Sequence, residues 1–258
     1  MNKKIFNYAY TSDLLIFGID SRNTDNCRSL PKKSLNILLV KRDKEPFKGD
    51  WCLPGGFVLN SETSKESSLR ILKKETGLEK VYMQQIRVND DVGRDPRGRV
   101  ISVSYMALVD LSKLSNSLTE NACWFDVNII SEDNNLEICL SNESEVINYN
   151  VEKKVIDNKT FEYEYEEINK SNLAFDHGKI IAQGIMELRR KVNDTDIVFN
   201  LMPELFTIGE LKQVYELLLG KKLINSAFRR TIADKIELTD KMVKTGGHRP
   251  SILCKYKG

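Results

Sequence analysis

The chain has 258 residues, 41% of them hydrophobic, and a formal net charge of +2, so it can bury the core of one large domain or two ordinary ones. Its cysteines are odd in number, far apart and without a CxxC pair, which argues against a disulfide framework or a zinc site and favours reduced thiols: Cys27, Cys52, Cys123, Cys139 and Cys254. The N-terminal segment has no apolar run of signal-peptide or membrane-spanning length, so we expect a cytoplasmic protein without membrane association.

The first part of the chain contains three runs rich in β-branched or aromatic residues, which predict strands: Leu14–Ile19, Leu35–Lys41 and Val100–Val109. A polar loop, Ser21–Ser34, separates the first two. The stretch Thr63–Thr76 predicts a helix, because Thr63 and Glu66 form a capping box and Gly77 provides a left-handed end.

The middle of the chain is more polar. Ser131–Lys170 alternates in places around an Asp157-Asn158-Lys159 turn, so we predict a peripheral hairpin. Ala174–Lys191 then carries isoleucines and leucine at helical spacing and predicts a long amphipathic helix. Asn193–Asp196 is a plausible linker. The predicted domains are therefore 1–196 and 197–258.

A sequence motif covers Gly56–Leu78, GFVLNSETSKESSLRILKKETGL. It resembles the Nudix box in register, with matches at Gly56, Glu62, Arg70, Leu72, Glu75, Gly77 and Leu78. The preceding Trp51–Gly55 looks like the family's entry to the box, so Trp51 and Gly55 are candidate ligand-binding residues. The resemblance implies an α+β Nudix fold, with a mixed sheet between helices.

The same resemblance draws attention to three positions on the box helix. In Nudix hydrolases, glutamates at i, i+3 and i+4 hold the divalent cations that neutralise a diphosphate and activate water. This chain has Ile71, Lys74 and Glu75 there, which changes the formal charge of that face from −3 to 0. Helical geometry predicts that Leu69, Leu72 and Thr76 face the core and that the three box positions lie opposite.

Hydrolysis therefore loses its usual machinery, and we expect no required cofactor. If any box residue binds metal it is Glu75, and Mg²⁺ is needed only under a hydrolase interpretation. Lys74 offers a charge that could neutralise an anionic ligand without metal; the alternative is a solvated lysine, with Ile71 at the surface or in an interface. Acidic residues outside these positions leave residual metal binding open: Glu62, Asp90, Asp91 and Asp95.

Three arginines, Arg94, Arg97 and Arg99, lie among glycines and a proline before a predicted strand. Guanidinium groups suit phosphate oxygens, and the stretch resembles one in Nudix proteins that act on or sense ADP-ribose. The alternative is a solvated hairpin tip. His177, within the long helix, is interpreted as a packing or hydrogen-bonding residue.

The C-terminal part is basic. From residue 200 onwards there are 11 Lys and Arg against 6 Asp and Glu, a balance of +5, whereas the remainder sums to −3. Thr207 and Glu210 form a second capping box that begins a helix ending at Gly220. A short turn and an N-cap at Asn225 then predict a second helix, Ser226–Ile236, so the pair has a helix-turn-helix layout.

The second helix presents cations off its apolar stripe, as a recognition helix requires. Two further runs, Leu238–Val243 and Ser251–Tyr256, predict a wing around a Thr245-Gly246-Gly247 turn. The candidate DNA-binding residues are Arg229, Arg230, Lys235, His248 and Arg249. The alternative is a basic helical module that serves dimerisation only.

The two halves together closely resemble Nudix-related, NrtR-like transcriptional regulators. That resemblance implies a homodimer that binds double-stranded operator DNA through winged helices and senses ADP-ribose or another phosphorylated nucleotide-sugar effector. The predicted architecture is an α/β Nudix-like domain followed by a winged helix-turn-helix domain. A competing hypothesis is a Nudix pyrophosphatase of ADP-ribose or a nucleoside diphosphate derivative whose C-terminal part dimerises.

Overall fold

The structure is a computed structural model that describes residues 8–22, 31–114, 118–132, 134–157, 159–160, 162–244 and 250–258. Several residues named above lie outside these ranges: Cys27, Asn158, the Thr245-Gly246-Gly247 turn, His248 and Arg249. The four cysteines within the described ranges are free thiols. No described helix is both long and apolar enough to cross a bilayer.

Most described strands belong to one sheet. In chain order they are β1 Ala9–Arg22, β2 Lys32–Lys41, β3 Trp51–Cys52, β4 Gly55–Phe57, β5 Tyr82–Asn89, β6 Val100–Val109, β7 Ala122–Glu132, β8 Asn135–Ser141, β9 Val146–Asp157 and β10 Glu162–Glu167. Among the described residues their order is β10-β9-β8-β7-β2-β1-β6-β5, with β3 on β2 and β4 on β1. The three predicted strands are confirmed as the middle of this sheet.

Two helices accompany the sheet: α1, Ser64–Thr76, and α2, His177–Asp194. The α1 caps are as predicted, since the Thr63 side chain accepts from the Glu66 N–H and Gly77 is left-handed. α2 packs so closely on β1 at Gly184 that a Cβ there would overlap the Leu15 side chain. Helix α2 extends through Asp194, so the predicted linker at Asn193–Asp196 is wrong in its first half.

The predicted peripheral hairpin at Ser131–Lys170 is confirmed in its last part, because β9 and β10 pair as a hairpin at the edge of the sheet, but the segment contains more strands than were predicted. β7 to β10 form an antiparallel meander that continues the main sheet, and buried residues alternate with more exposed ones along the first half of β9. Leu140, Ile147, Tyr149 and Val151 are buried. A segment this polar still forms sheet because only one of its faces is apolar.

The C-terminal segment forms a winged helix. Its elements are a 3-10 turn at Ile197–Leu201, β11 Phe206–Thr207, α3 Ile208–Leu219, α4 Asn225–Ile232, β12 Ile236–Val243 and β13 Ser251–Tyr256. The sheet order is β11-β13-β12, with β12 and β13 antiparallel as a wing requires. The capping box at Thr207 and the left-handed Gly220 confirm the predicted limits of α3.

Helix α4 departs from its prediction at both ends. It begins at Asn225, with Ile224 as an N-cap that makes no side-chain hydrogen bond, and it ends at Ile232. Ile236 is buried, as its apolar character suggested, but it begins β12 instead of completing the helix.

The contacts divide the chain into two compact units. The first comprises the described parts of Met1–Ile16, Ile37–Ala107 and Leu114–Ile185, and the second those of Phe17–Asn36, Leu108–Lys113 and Met186–Gly258. Parts of β1, β2 and β6 thus group with the C-terminal segment. The division predicted at 196/197 stays a prediction.

Candidate ligand cavity and nucleic-acid interface

The first unit contains a cavity of about 640 Å³ beside the box motif. Its lining includes β4, the C-terminal part of α1, the loop before β6 and the start of α2. The basic residues that line it are Lys41, Arg42, Lys44, Lys74, Arg94 and Arg97, and the acidic ones are Asp13, Asp43, Glu75, Asp95 and Glu120. The volume falls in the range of about 300–1,000 Å³ that is usual for small-molecule sites.

Gly55 occupies its place because no larger residue fits. It pairs with Asp13 across β4 and β1, and a Cβ there would lie 2.5 Å from Asp13 Oδ1 and 3.0 Å from the Ser12 carbonyl oxygen. Gly56, the first residue of the box, is less confined, since its nearest neighbour would be Ile71 Cδ1 at 3.9 Å. Gly55 therefore lets the backbone approach the carboxylate at the cavity floor.

That carboxylate, Asp13, is the centre of a buried polar network. Ser102 donates to Asp13 Oδ2 at 2.5 Å and Arg94 at 3.3 Å, and Arg94 also forms a two-pronged pair with Asp176 at 2.9 and 2.7 Å. Burial alone would lower the pKa of Arg94, but the two aspartates reverse this and raise it. Arg94 is thus committed to structural ion pairs, although part of it lines the cavity.

His177 completes this network as a neutral residue. Its Nδ1 accepts the Leu53 backbone N–H at 2.9 Å, which leaves the proton on Nε2, 3.7 Å from Asp13 Oδ1. Burial is the main cause that lowers the pKa of His177, and it outweighs the nearby aspartates. The interpretation of His177 as a hydrogen-bonding residue agrees with this geometry.

Aromatic rings and guanidinium groups meet at another part of the lining. Arg42 lies 4.8 Å from the Phe175 ring centroid, and Arg97 lies 5.5 Å from Phe175 and 5.7 Å from Phe57. The φ angle of Phe175 is +59°, a strained conformation for a non-glycine residue. Phe57 is 52% exposed. These groups suit a planar, anionic ligand.

The remaining box carboxylate, Glu75, is already occupied by protein groups. It is buried, Lys74 donates to its Oε1 at 2.7 Å, and Thr119 donates to its Oε2. The Lys74 side chain is itself 69% exposed and lines the cavity. Lys74 therefore neutralises Glu75 and still presents its charge toward the cavity.

Ile71 corrects the sequence prediction. It was placed on the side of α1 opposite the core, as a surface or interface residue, but it is 4% exposed and packs under Gly56. Leu72 and Thr76 are buried as predicted, whereas Leu69 is only partly buried. The helix is covered on two sides, because β4 crosses over the Ile71 side. Ile71 offers no oxygen to a cation and is held by packing.

Glu62 and Arg70, the other charged box residues, bind each other. Arg70 donates to both Glu62 oxygens, at 3.0 and 2.5 Å, and to the Phe57 carbonyl oxygen. The Arg70 hydrogen bonds are the main cause that lowers the pKa of Glu62 to about 2. The pair fastens the loop before α1 to the helix.

Of the other predicted site residues, one lines the cavity and two do not. Arg97 lines the cavity and pairs with the buried Asp95 at 2.6 Å. Arg99 does not line it and donates to the Asp90 carbonyl oxygen, and the buried Trp51 donates to Glu145. Neither Trp51 nor Arg99 lines this cavity, so the expectation that they contact a ligand stays a prediction.

The donor set does not suit the metal that a Nudix resemblance implies. Within the described ranges, no three His, Cys, Asp or Glu side chains converge as a metal-binding group. Both Glu75 oxygens are bound by a lysine and a threonine, and Asp91 pairs with Lys179 at 2.6 Å. Divalent cations require several free oxygen ligands, so the residues present do not fit one.

In the second unit, α4 presents the candidate nucleic-acid surface. Phe228 and Ile232 are buried, and Phe228 packs edge-on against Tyr215 at 5.3 Å. Arg229 and Arg230 are exposed and form no ion pair with any residue in the described ranges. Their cations are free to meet phosphates or base edges.

Lys235 differs from this pattern. It lies beyond the end of α4 and forms a 2.6 Å ion pair with Asp196, which also accepts from the Tyr256 hydroxyl. The prediction that Lys235 belongs to the recognition helix is wrong, and its charge is engaged in holding the winged helix together. His248 and Arg249 lie outside the described residues.

Sequence reasoning missed Asp13, Arg42 and Phe175. Asp13 is a charged residue directly before the buried apolar run Leu14–Phe17 of the same strand, which is a usable signal of a buried functional group. No comparable signal marks Arg42 or Phe175, because their meeting depends on the fold.

Comparisons with known proteins agree with both halves. A NUDIX domain model matches residues 27–139, and a model of the NrtR DNA-binding winged helix domain matches residues 198–256. The chain is 29% identical over 255 residues to the ADPR responsive transcriptional repressor NtrR of Acinetobacter baylyi, covering 95% of this chain and 81% of that protein.

Two further relatives are informative. The structure of Shewanella oneidensis NrtR complexed with a 27mer DNA matches with a TM-score of 0.65 and 26% identity, covering 96% of this chain and 93% of that one. An ADP-ribose pyrophosphatase of Methanocaldococcus jannaschii is 41% identical over 98 residues, 38% of this chain and 58% of that protein. The predicted fold class, a Nudix-like domain followed by a winged helix, is confirmed.

Proposed function

We propose that this chain, a Nudix protein with an NrtR-type winged-helix domain, is an ADP-ribose-responsive DNA-binding transcriptional repressor. One observation carries the ligand half of this proposal. The carboxylate that would bind metal in the cavity is neutralised by Lys74, while Arg42 and Arg97 lie beside aromatic rings around the same cavity. Such a site binds a diphosphate through protein cations and a base through rings.

The DNA half rests on the winged helix. The A. baylyi relative is named as an ADPR responsive repressor, and the S. oneidensis relative was crystallised with DNA. In this chain Arg229 and Arg230 are exposed on α4. A ligand that binds one state of the protein better than the other shifts DNA affinity by that difference, and no chemical step is required.

A homodimer belongs to the proposal as well. Helix-turn-helix proteins commonly bind two half-sites through two-fold symmetry. We expect light scattering to give twice the 29.6 kDa chain mass and a DNA complex with two chains per duplex. A monomer that binds one half-site would remove this part of the proposal.

Calorimetry tests the ligand half. ADP-ribose should bind with the same affinity in EDTA and in Mg²⁺, because the cavity lysine and arginines provide the neutralising charge. Arg97→Ala should weaken binding by about tenfold, roughly 1.4 kcal/mol. Arg87→Ala is the matched control, since Arg87 is exposed on β5 and does not line the cavity. Binding that requires Mg²⁺ would contradict the proposal.

Duplex binding tests the response. Adding ADP-ribose should change the affinity for DNA at least about fivefold, the lower end of usual coupling energies. Arg229→Ala with Arg230→Ala should abolish salt-sensitive duplex binding and leave ADP-ribose affinity unchanged.

The second candidate function is ADP-ribose hydrolysis, which the similarity to the M. jannaschii pyrophosphatase favours. It requires Mg²⁺ at Glu75. Against it, Ile71 is buried and Glu75 is bound by Lys74 and Thr119. Robust Mg²⁺-dependent turnover that Glu75→Gln abolishes would establish the hydrolase instead.

A further inference from the structure

A second, basic groove lies in the second unit, apart from the exposed arginines of α4. Its volume is about 280 Å³, and its charged lining is four lysines against one glutamate, a formal balance of +3: Lys32, Lys33, Lys221, Lys222 and Glu216. The first two begin β2, and the second two lie in the turn between α3 and α4. Gln213, Leu217 and Gly220 complete it from one side of α3 and its end.

Two of the four lysines are held by the protein. Lys33 is 10% exposed, donates to Ser21 Oγ at 2.6 Å and lies 3.6 Å from Glu210. Lys222 lies 3.4 Å from Glu216, which also binds Lys212 at 2.9 Å and accepts the Leu223 N–H at 2.7 Å. The groove's single carboxylate is therefore shared by two lysines and a backbone amide, and it does not neutralise the others.

The other two lysines have no partner within the part of the chain that the structure describes. Lys32 and Lys221 are exposed and make no hydrogen bond or ion pair with any residue that the structure describes. Gln213 also lines the groove, although its amide oxygen is buried and has no hydrogen-bond partner among the described residues. The groove thus offers two ammonium groups that no described residue binds.

We propose that this groove holds a backbone phosphate of the DNA that α4 contacts, and that Lys32 and Lys221 supply its charge. The inference rests on the proposed DNA-binding function and adds a second contact to it. The position favours DNA over a free anion, because the turn that carries Lys221 leads directly into α4 and the first helix of such a pair crosses the DNA backbone. Lysine serves phosphate as a point charge and reads no sequence.

The salt dependence of binding tests the proposal. Each neutralised phosphate contributes about 0.9 to the slope of log affinity against log salt. Lys32→Gln with Lys221→Gln removes the contact to that one phosphate and should make the slope shallower by about 0.9 for a fluorescein-labelled random-sequence duplex. Lys32→Arg with Lys221→Arg keeps both charges and should preserve the wild-type slope. The affinity that the glutamine variant loses should be equal for AT-rich and GC-rich duplexes.

Lys65→Gln with Lys80→Gln is the matched control. Both lysines are exposed in the first unit, without a partner among the described residues, so this variant loses the same charge and should keep the wild-type slope. If this control lost as much of the salt slope as Lys32→Gln with Lys221→Gln, the effect would come from net charge alone and the proposal would be overturned.

Two outcomes separate the groove from the general function. If Lys32→Gln with Lys221→Gln keeps the wild-type slope while Arg229→Ala with Arg230→Ala abolishes salt-sensitive duplex binding, the groove is not a phosphate site and DNA binding through α4 stands. If the wild-type chain binds no duplex in low salt, both proposals fall.

Discussion

The two adjacent glycines of β4 allow a sharp test of the cavity floor. Gly55→Ala would place a Cβ 2.5 Å from Asp13 Oδ1 and 3.0 Å from a backbone oxygen of Ser12. A carboxylate at the end of a side chain can often move away. This one is buried and held by Ser102 and Arg94, so movement breaks hydrogen bonds in the network.

Overpacking of this kind costs about 1–3 kcal/mol, and we expect the upper part of that range because a buried ion pair is disturbed as well. For a chain of this size, about 3 kcal/mol corresponds to a fall in Tm of roughly 6–12 °C. Gly56→Ala is the matched control. Its Cβ would meet Ile71 Cδ1 at 3.9 Å, an ordinary contact, so its Tm should change little.

Circular dichroism melts of the two variants and the wild type provide the measurement, and calorimetry with ADP-ribose gives a second one. Gly55→Ala should also lower the affinity for ADP-ribose, since Gly55 and Asp13 both line the cavity. Equal melting temperatures for the two variants would refute the close approach of β4 to Asp13.

Two other changes test groups that the fold has engaged. Burial lowers the pKa of His177, so as the pH falls the imidazole is protonated in the unfolded chain before it is protonated in the folded one, and the stability contributed by the neutral ring is lost below about pH 6.5. His177→Gln should therefore lessen the fall in unfolding free energy between about pH 7.5 and pH 5, measured by urea denaturation. A fall as large as that of the wild type would argue against this role of His177. Lys235→Ala should cost the winged helix up to about 1 kcal/mol through its ion pair with Asp196 and weaken duplex binding much less than Arg229→Ala with Arg230→Ala. A loss of duplex binding as large as in the arginine variant would return Lys235 to the DNA-binding surface.

Features that depend on neighbouring residues could be predicted from the sequence. The capping boxes at Thr63 and Thr207, and the left-handed ends at Gly77 and Gly220, follow from interactions within one helical turn. The wing strands were predicted from two short runs on either side of a glycine-containing turn, within two residues of their observed bounds. Such elements need little information from the rest of the fold.

Features that depend on tertiary contacts could not. Arg94 pairs with Asp13 and Asp176 at sequence separations of 81 and 82 residues, and no local sequence pattern predicts these ion pairs. Ile71 was misplaced because helical periodicity cannot reveal that β4 covers a second side of α1. Lys235 was assigned to a helix because the apolar spacing of Ile232 and Ile236 fits a helix, while the pairing of β12 with β13 decides the structure.

Lys74→Glu bears on whether the cavity recognises its ligand or cleaves it. The change would place two carboxylates side by side at positions 74 and 75, and it would remove the ammonium that neutralises Glu75 and faces the cavity. A partial acidic cage would result, but its third position stays apolar because Ile71 is buried under Gly56. Repulsion of a diphosphate should lower ADP-ribose affinity by about tenfold or more, roughly 1.4 kcal/mol, without creating Mg²⁺-dependent turnover.

Lys74→Met separates loss of charge from its reversal and should give an intermediate affinity, since it removes the cation without adding an anion. Calorimetry measures the affinity, and chromatography of the nucleoside monophosphate formed from ADP-ribose in the presence of Mg²⁺ measures turnover independently. If Lys74→Glu gained turnover, two carboxylates would suffice to hold a working cation, and the barrier to hydrolysis would lie in Lys74 alone. If affinity stayed unchanged in both variants, Lys74 would not face the ligand, and neutralisation of the diphosphate would fall to Arg42 and Arg97.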